Sequence, residues 1–230
     1  MKRFVIADIH GNFKALKQCL EISKFDYDKD LLISLGDEVD GYPDSFLVVE
    51  ELMKIKNIIL CRGNHNEWFL NWVKTGSTPS IWFRQGGDAT LRSYNFTVNM
   101  KHYNYLNSAV KYYRSKDNKF FVHGGYDINF NPLKQELNEY VWNRSLIYVA
   151  KNPERHTTKQ LTNLFKFNEI FVGHTTTEHF NSKEPLNFSN LWMLDTGCGW
   201  QGRLTIMNVD TKEYYQSETG VKLYGTIQGR

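Results

Sequence analysis

Five short apolar runs in this chain each give way to a glycine-flanked acid, amide or imidazole. The runs are residues 4–7, 31–35, 58–61, 120–122 and 170–172. They lead into Asp8-Ile9-His10-Gly11, Gly36-Asp37-Glu38-Val39-Asp40, Gly63-Asn64-His65, His123-Gly124-Gly125 and Gly173-His174-Thr175. Runs of this length bounded by turn residues predict buried strands. A D-x-H triplet alone is weak, but five such strand ends predict one site built from Asp8, His10, Asp37, Asn64, His123 and His174.

Between the runs lie amphipathic stretches. Phe13, Leu16, Leu20 and Ile22 fall on one helical face, with Asn12 as a cap. Ser45 opens a second helix that runs to Ile55. Glu67 to Lys74 predicts a third, with Trp68, Phe69, Trp72 and Val73 as its apolar side. This strand–loop–helix rhythm predicts an α/β fold with parallel strands. Residues 67–108 show no strand alternation and are expected to form a small helical insertion, its aromatics serving as core. A hairpin is expected across residues 115–118, helix within 132–149 and over 157–165, and antiparallel strands at 191–194, 203–209 and 213–216. One domain, 1–230, is expected.

No apolar run approaches the roughly 20 residues of a membrane span. Asp8 and His10 interrupt the first apolar stretch too early for a signal peptide. Cys19, Cys61 and Cys198 are odd in number and scattered, which predicts reduced thiols and a cytoplasmic protein. A net charge of +3 is too small to argue for stable nucleic-acid or membrane binding.

The donor types indicate a chemistry. Hard divalent ions take carboxylate and carbonyl oxygens, and imidazole suits manganese, iron, zinc and nickel. One carboxylate can bridge two ions, and Asp37 is the natural bridge. Two ions about 3.5–4 Å apart can clamp a phosphoryl group and acidify a water that attacks phosphorus directly. His65, one residue beyond Asn64, is placed to protonate the leaving oxygen, with Asp40 holding its charge. His102, His156 and His179 lack such context and are expected at the surface or in packing. Asn66 and Glu67 are expected as helix-start residues.

Taken together the five stretches resemble the calcineurin-like metallophosphoesterases. They look closest to the phosphoprotein phosphatase branch, with its bacterial and bacteriophage serine/threonine phosphatases. The resemblance covers nearly the whole chain, to Asp195-Thr196-Gly197. It implies a four-layer αββα sandwich of two mixed sheets, with a dinuclear metal centre at the strand ends. Asp8, His10 and Asp37 would bind the first ion; Asp37, Asn64, His123 and His174 would bind the second. Manganese is the expected ion, with iron, nickel or zinc as alternatives. His65 and Asp40 would form the acid pair. Trp142-Asn143-Arg144 resembles the element that supplies a phosphate-binding arginine, so Arg144, with Asn64, is expected on the substrate phosphate.

One departure stands out. The branch pattern G-D-x-V-D-R-G reads Gly36-Asp37-Glu38-Val39-Asp40-Gly41-Tyr42 here, so the arginine that grips phosphate is missing at Gly41. Arg62, Arg84 and Arg203 are the candidate replacements. The resemblance implies a phosphomonoesterase acting on phosphoserine or phosphothreonine proteins. The missing arginine keeps open a nucleotide, dinucleoside polyphosphate or RNA-end substrate, cleaved as a monoester or a diester. A non-catalytic binding protein on the same fold is a third expectation, which the intact ligand set opposes.

Overall fold

The computed structural model describes all 230 residues. β1 (Arg3–Ile6), β2 (Leu31–Ser34) and β3 (Asn57–Leu60) run parallel, joined by α1 (Phe13–Ile22) and α2 (Ser45–Leu52). Asn12 starts α1 by accepting from the Ala15 amide at 3.0 Å. α3 (Asn64–Thr75) stops where Gly76 takes φ +73° and its amide returns to the Trp72 carbonyl at 2.7 Å. Next come α4 (Ser80–Trp82), α5 (Asp88–Ser93) and α6 (Met100–Asn107), with a kink at Gly86.

The second half begins with the hairpin β4 (Tyr113–Arg114) and β5 (Lys119–Val122). The helices α7 (Leu137–Trp142), α8 (Ser145–Lys151) and α9 (Thr158–Leu164) follow, and then β6 (Glu169–Val172). The remaining strands are β7 (Leu186–Phe188), β8 (Leu191–Met193), β9 (Thr205–Asn208) and β10 (Tyr214–Gln216), before α10 (Gly220–Tyr224). One sheet has the order β10-β9-β1-β2-β3 and the other β4-β5-β6-β8-β7. The expected run of antiparallel strands near the end is corrected at β8. It pairs antiparallel to β7 but parallel to β6, because it fills the second sheet instead of continuing a meander.

The period-2 alternation of strand side chains builds the layers. In β1, Phe4 and Ile6 face α1 and α2, while Val5 faces the other sheet. In β5 and β6, Phe120, Val122, Ile170 and Val172 face α7 to α9, while Phe121 and Phe171 meet the first sheet. The rings of Phe121 and Phe171 stack at 4.8 Å and 7°. Two sheets back to back with helices outside are the expected four-layer αββα sandwich. The parallel arrangement of β1-β2-β3 and of β5-β6-β8 points their carboxyl ends toward one rim of it.

Candidate metal centre and active site

The loop after each of those strands delivers a polar residue to the rim. Asp8 and His10 follow β1, Asp37 and Asp40 follow β2, and Asn64 and His65 open α3 after β3. His123 follows β5 and His174 follows β6. The loops are laced by backbone bonds: Asp8 N to Gly36 O at 3.2 Å, His10 N to Asp37 O at 2.9 Å and Tyr42 N to His10 O at 2.9 Å. Asp8, His10, Asp37, Asp40 and His174 all hold positive φ, between 50° and 72°. That conformation costs about 1–2 kcal/mol per residue, so the loops accept strain to aim these side chains inward.

Asp37 stands in the middle. Its Oδ2 is 3.8 Å from His10 Nε2 and 3.2 Å from His123 Nε2. Its Oδ1 accepts from the His65 amide at 2.9 Å. Asp8 Oδ2 accepts from the His174 amide at 2.9 Å, and Asp8 Oδ1 is 3.8 Å from His10 Nε2. His123 Nε2 is 2.9 Å from Asn64 Oδ1. All six residues are buried. The structure thus gathers Asp8, His10, Asp37, Asn64, His123 and His174, and places His65 and Asp40 beside them.

The hydrogen bonding tests whether this donor set suits a cation. His10 Nδ1 is 3.2 Å from the Val39 carbonyl and His123 Nδ1 is 2.9 Å from the Leu35 carbonyl. Each carbonyl can only accept, so each Nδ1 carries a hydrogen and each Nε2 faces the cluster. His10 Nε2, Asp37 Oδ2 and both ring nitrogens of His174 are buried without a hydrogen-bond partner. Buried polar atoms without partners are rare in folded proteins. His123 Nε2 also lies within reach of two oxygens at once, Asp37 Oδ2 and Asn64 Oδ1. Burial pushes His10 and His174 below the ordinary imidazole range, keeping them neutral as ligands must be. Burial opposes charge on Asp37 too, but His123, followed by His65, outweighs it and holds the carboxyl well below its usual range, while Asp37 raises His123 against burial to about 9. Two triads, His10-Asp37-His65 and Asp37-His123-His174, share Asp37, and the residues fit a pair of divalent ions.

Asp195 belongs to the same cluster and was not assigned from sequence. It is buried, its Oδ2 has no partner, and burial raises its pKa against the opposing charge of Arg230. The signal was present, since Asp195 follows the apolar run 191–194 as Asp8 follows 4–7. Asn66 does more than start a helix. Its Oδ1 accepts from the Asp37 and Gly63 amides, each at 2.9 Å, and its Nδ2 donates to Glu38 at 2.7 Å. It thereby ties the β2 loop to the start of α3. Glu67, by contrast, pairs with Arg62 at 2.7 Å. His102 is packed, held by Tyr94 and Glu50.

His65 Nδ1 is 2.7 Å from Asp40 Oδ2, which also accepts from Trp82 Nε1 at 2.7 Å. His65 Nε2 is 2.7 Å from Arg230 Nη1. A guanidinium only donates, so Nε2 accepts and Nδ1 carries the hydrogen given to Asp40. Arg144 Nη1 donates to the His174 carbonyl and to Thr175 Oγ1, both at 2.9 Å. Arg144, His174, Thr176, Glu178, His179, Trp200 and Arg230 line a cavity of about 460 Å³ beside the cluster. None of the three cations expected to replace the missing arginine reaches this cavity. Arg62 is engaged with Glu67, Arg203 donates to the Ser217 carbonyl at 2.9 Å, and Arg84 is exposed.

Comparisons with known proteins agree with this geometry. Residues 1–190 match the family described as calcineurin-like phosphoesterase. Serine/threonine-protein phosphatase 1 of Salmonella typhimurium is 26% identical over 217 residues, covering 90% of this chain and 91% of the relative. A symmetrical bis(5'-nucleosyl)-tetraphosphatase of Coxiella burnetii is 33% identical over 267 residues, covering 92% of this chain and 90% of the relative. A solved structure provisionally identified as a diadenosine tetraphosphatase superposes with TM-score 0.70 at 18% identity, covering 94% of this chain and 92% of that one. The family implies a dinuclear divalent metal centre, which the shared Asp37 and the unpartnered imidazoles around it are built to accept. The chain is therefore a phosphoester hydrolase, a member of the calcineurin-like phosphoesterases.

Proposed function

We propose that the chain is a phosphomonoesterase of the serine/threonine protein phosphatase type, acting on phosphorylated side chains of proteins. The observation that carries this reading is the cavity beside the cluster, about 460 Å³ and edged by two guanidinium groups, those of Arg144 and Arg230. Such a site matches one terminal phosphoryl group, whose two negative charges exceed the single charge of an internal diester phosphate. Relative length supports it. The likeness to the Salmonella phosphatase runs over 217 residues, whereas that to the Coxiella tetraphosphatase runs over 267, more than the 230 residues present here. The tetraphosphatase therefore carries segments with no counterpart in this chain.

In this reading Asp8, His10 and Asp37 hold one ion, and Asp37, Asn64, His123 and His174 the other. When bound, the pair supplies the positive charge that polarises the phosphoryl oxygens and activates a water. Asn64 and Arg144 orient the phosphoryl group, Arg144 through the part of its fork not spent on His174 and Thr175. His65, aligned by Asp40, gives the leaving oxygen a proton from Nε2 once that nitrogen has taken one up from solvent. Manganese as the working ion and the cytoplasm as the compartment belong to the same proposal. The mixed oxygen and imidazole donors support the first, and three buried, unpaired cysteines the second.

The test is a substrate panel with manganese: p-nitrophenyl phosphate, bis-p-nitrophenyl phosphate, diadenosine tetraphosphate and phosphoserine or phosphothreonine peptides. Hydrolysis of the monoesters and phosphopeptides ahead of the others is expected. Turnover confined to diadenosine tetraphosphate would overturn the protein phosphatase reading and leave the hydrolase assignment standing.

A further inference from the structure

Gly41 lacks a side chain where the related pattern has an arginine, and the space in front of it is filled from elsewhere. A Cβ on Gly41 would lie 3.5 Å from the Arg230 backbone nitrogen. One on Gly86 would lie 3.2 Å from Arg230 Cβ, and one on Gly199 would lie 3.1 Å from Arg230 Nε. Arg230 thus runs past three glycines distant in sequence, which also make room for His10 and for each other, and reaches the metal cluster.

We propose that Arg230 supplies the phosphate-gripping guanidinium that Gly41 does not provide, so that residues 225–230 form part of the substrate site. This deepens the hydrolase reading and rests on it. The side chain is held at its base: Arg230 N donates to the Gly199 carbonyl at 2.8 Å, and the guanidinium carbon lies 5.2 Å over the Trp200 ring. Its head is not spent. Arg230 makes no ion pair with any carboxylate, and its buried Nε–H has no acceptor. The guanidinium's one hydrogen bond is to His65 Nε2, the atom that must be free to carry a proton to a leaving group. A guanidinium that senses the Asp195 and Asp8 charges but bonds to no carboxylate, with donors to spare beside a phosphoester site, is built for an anion. Arrival of a phosphoryl oxygen gives the guanidinium a charged acceptor in place of an imidazole lone pair, and frees His65 Nε2 to take up from solvent the proton it passes to the leaving oxygen.

The experiment compares the full chain with Arg230→Ala and Arg230→Lys. With manganese, Arg230→Ala is expected to lower kcat/KM for p-nitrophenyl phosphate by about 10- to 100-fold, the range of a charge-assisted bond. Inhibition by inorganic phosphate is expected to weaken by about tenfold or more, with Tm unchanged. Added guanidinium should restore part of the activity of Arg230→Ala alone, and Arg230→Lys should fall between. Without metal, the His65 Nε2 nitrogen resonance is expected to move on substituting Arg230, and on adding inorganic phosphate to the unsubstituted chain. Phosphate inhibition of Arg230→Ala within about twofold of the parent would overturn the proposal. So would faster turnover by the variant, which would make Arg230 a screen over His65. No turnover of any phosphoester by the parent chain would strike the hydrolase reading instead, and the metal-free resonance would still judge the arginine.

Discussion

His65 Nδ1 meets Asp40 Oδ2 at 2.7 Å, with both side chains buried. The bond fixes the imidazole plane and leaves Nε2 as the only ring nitrogen able to reach a substrate. His65→Asn keeps a polar side chain at the α3 start but removes the group that moves a proton. It is expected to leave the fold intact and slow turnover of a poor leaving group, such as a phosphoserine peptide, by about 100-fold or more. Steady-state rates on phosphoserine and p-nitrophenyl phosphate check this. A good leaving group needs less protonation, so the loss on p-nitrophenyl phosphate should be smaller; unchanged turnover on phosphoserine would remove His65 from the mechanism.

Trp82 is fully buried and gives its indole N–H to the same Asp40 oxygen. Trp82→Phe keeps most of the ring volume and deletes that donor, leaving a buried carboxylate short of a partner. Stability is expected to fall by about 2 kcal/mol, the cost of a lost bond to a charged group. kcat should drop several-fold with KM unchanged, because Trp82 touches Asp40 and not substrate. Urea unfolding and steady-state kinetics separate the two effects.

The strand ends were legible because each couples two independent signals, an apolar run and a chemically specific residue after a turn. Phe4 to Ala7 before Asp8 and Ile170 to Val172 before His174 are instances in which local pattern and tertiary role agree. Asp195 carried the same signal but lacked a second motif to confirm it. The pairing of β8 with β6 was not legible, since strand direction depends on which edge is free once the helices have crossed, and alternation within three residues does not encode it. Arg230 was also hidden. It lies beside glycines 41, 86 and 199, which are far apart in sequence and meet only in space.

Asp37 is the only residue common to both triads. Asp37→Asn keeps the shape but removes the negative charge that a bridging ligand must carry. After equilibration with manganese and removal of free metal, elemental analysis is expected to find fewer than two ions per chain, with far-UV circular dichroism unchanged. Two ions retained at full occupancy would contradict the bridging role. Stripping the parent chain with a chelator should abolish hydrolysis, and manganese should restore it.

Away from the site, Glu51 gathers Lys17 Nζ at 2.7 Å, Lys54 Nζ at 2.6 Å and Tyr27 OH at 2.6 Å while its own side chain is only 3% exposed. Burial works against its charge, but the bonds from Lys17, Lys54 and Tyr27 outweigh that and hold the carboxyl at about 2, below its ordinary 4.5. A carboxyl whose pKa falls on folding stabilises the native state above its unfolded pKa and loses that contribution as pH drops through the folded one. Both lysines are about half exposed, 49% and 62%, so solvent screens the pairs. The contribution is therefore about 2 kcal/mol, less than the full shift would give. Glu51→Gln is expected to be less stable than the parent by that amount at pH 6 to 7. The gap should narrow steadily below about pH 4.5, because protonation then removes from the parent what the substitution has already removed from the variant. Urea unfolding at a series of pH values measures it, and a gap that stayed constant from pH 7 to pH 3 would show that packing, not the carboxylate charge, is what Glu51 contributes.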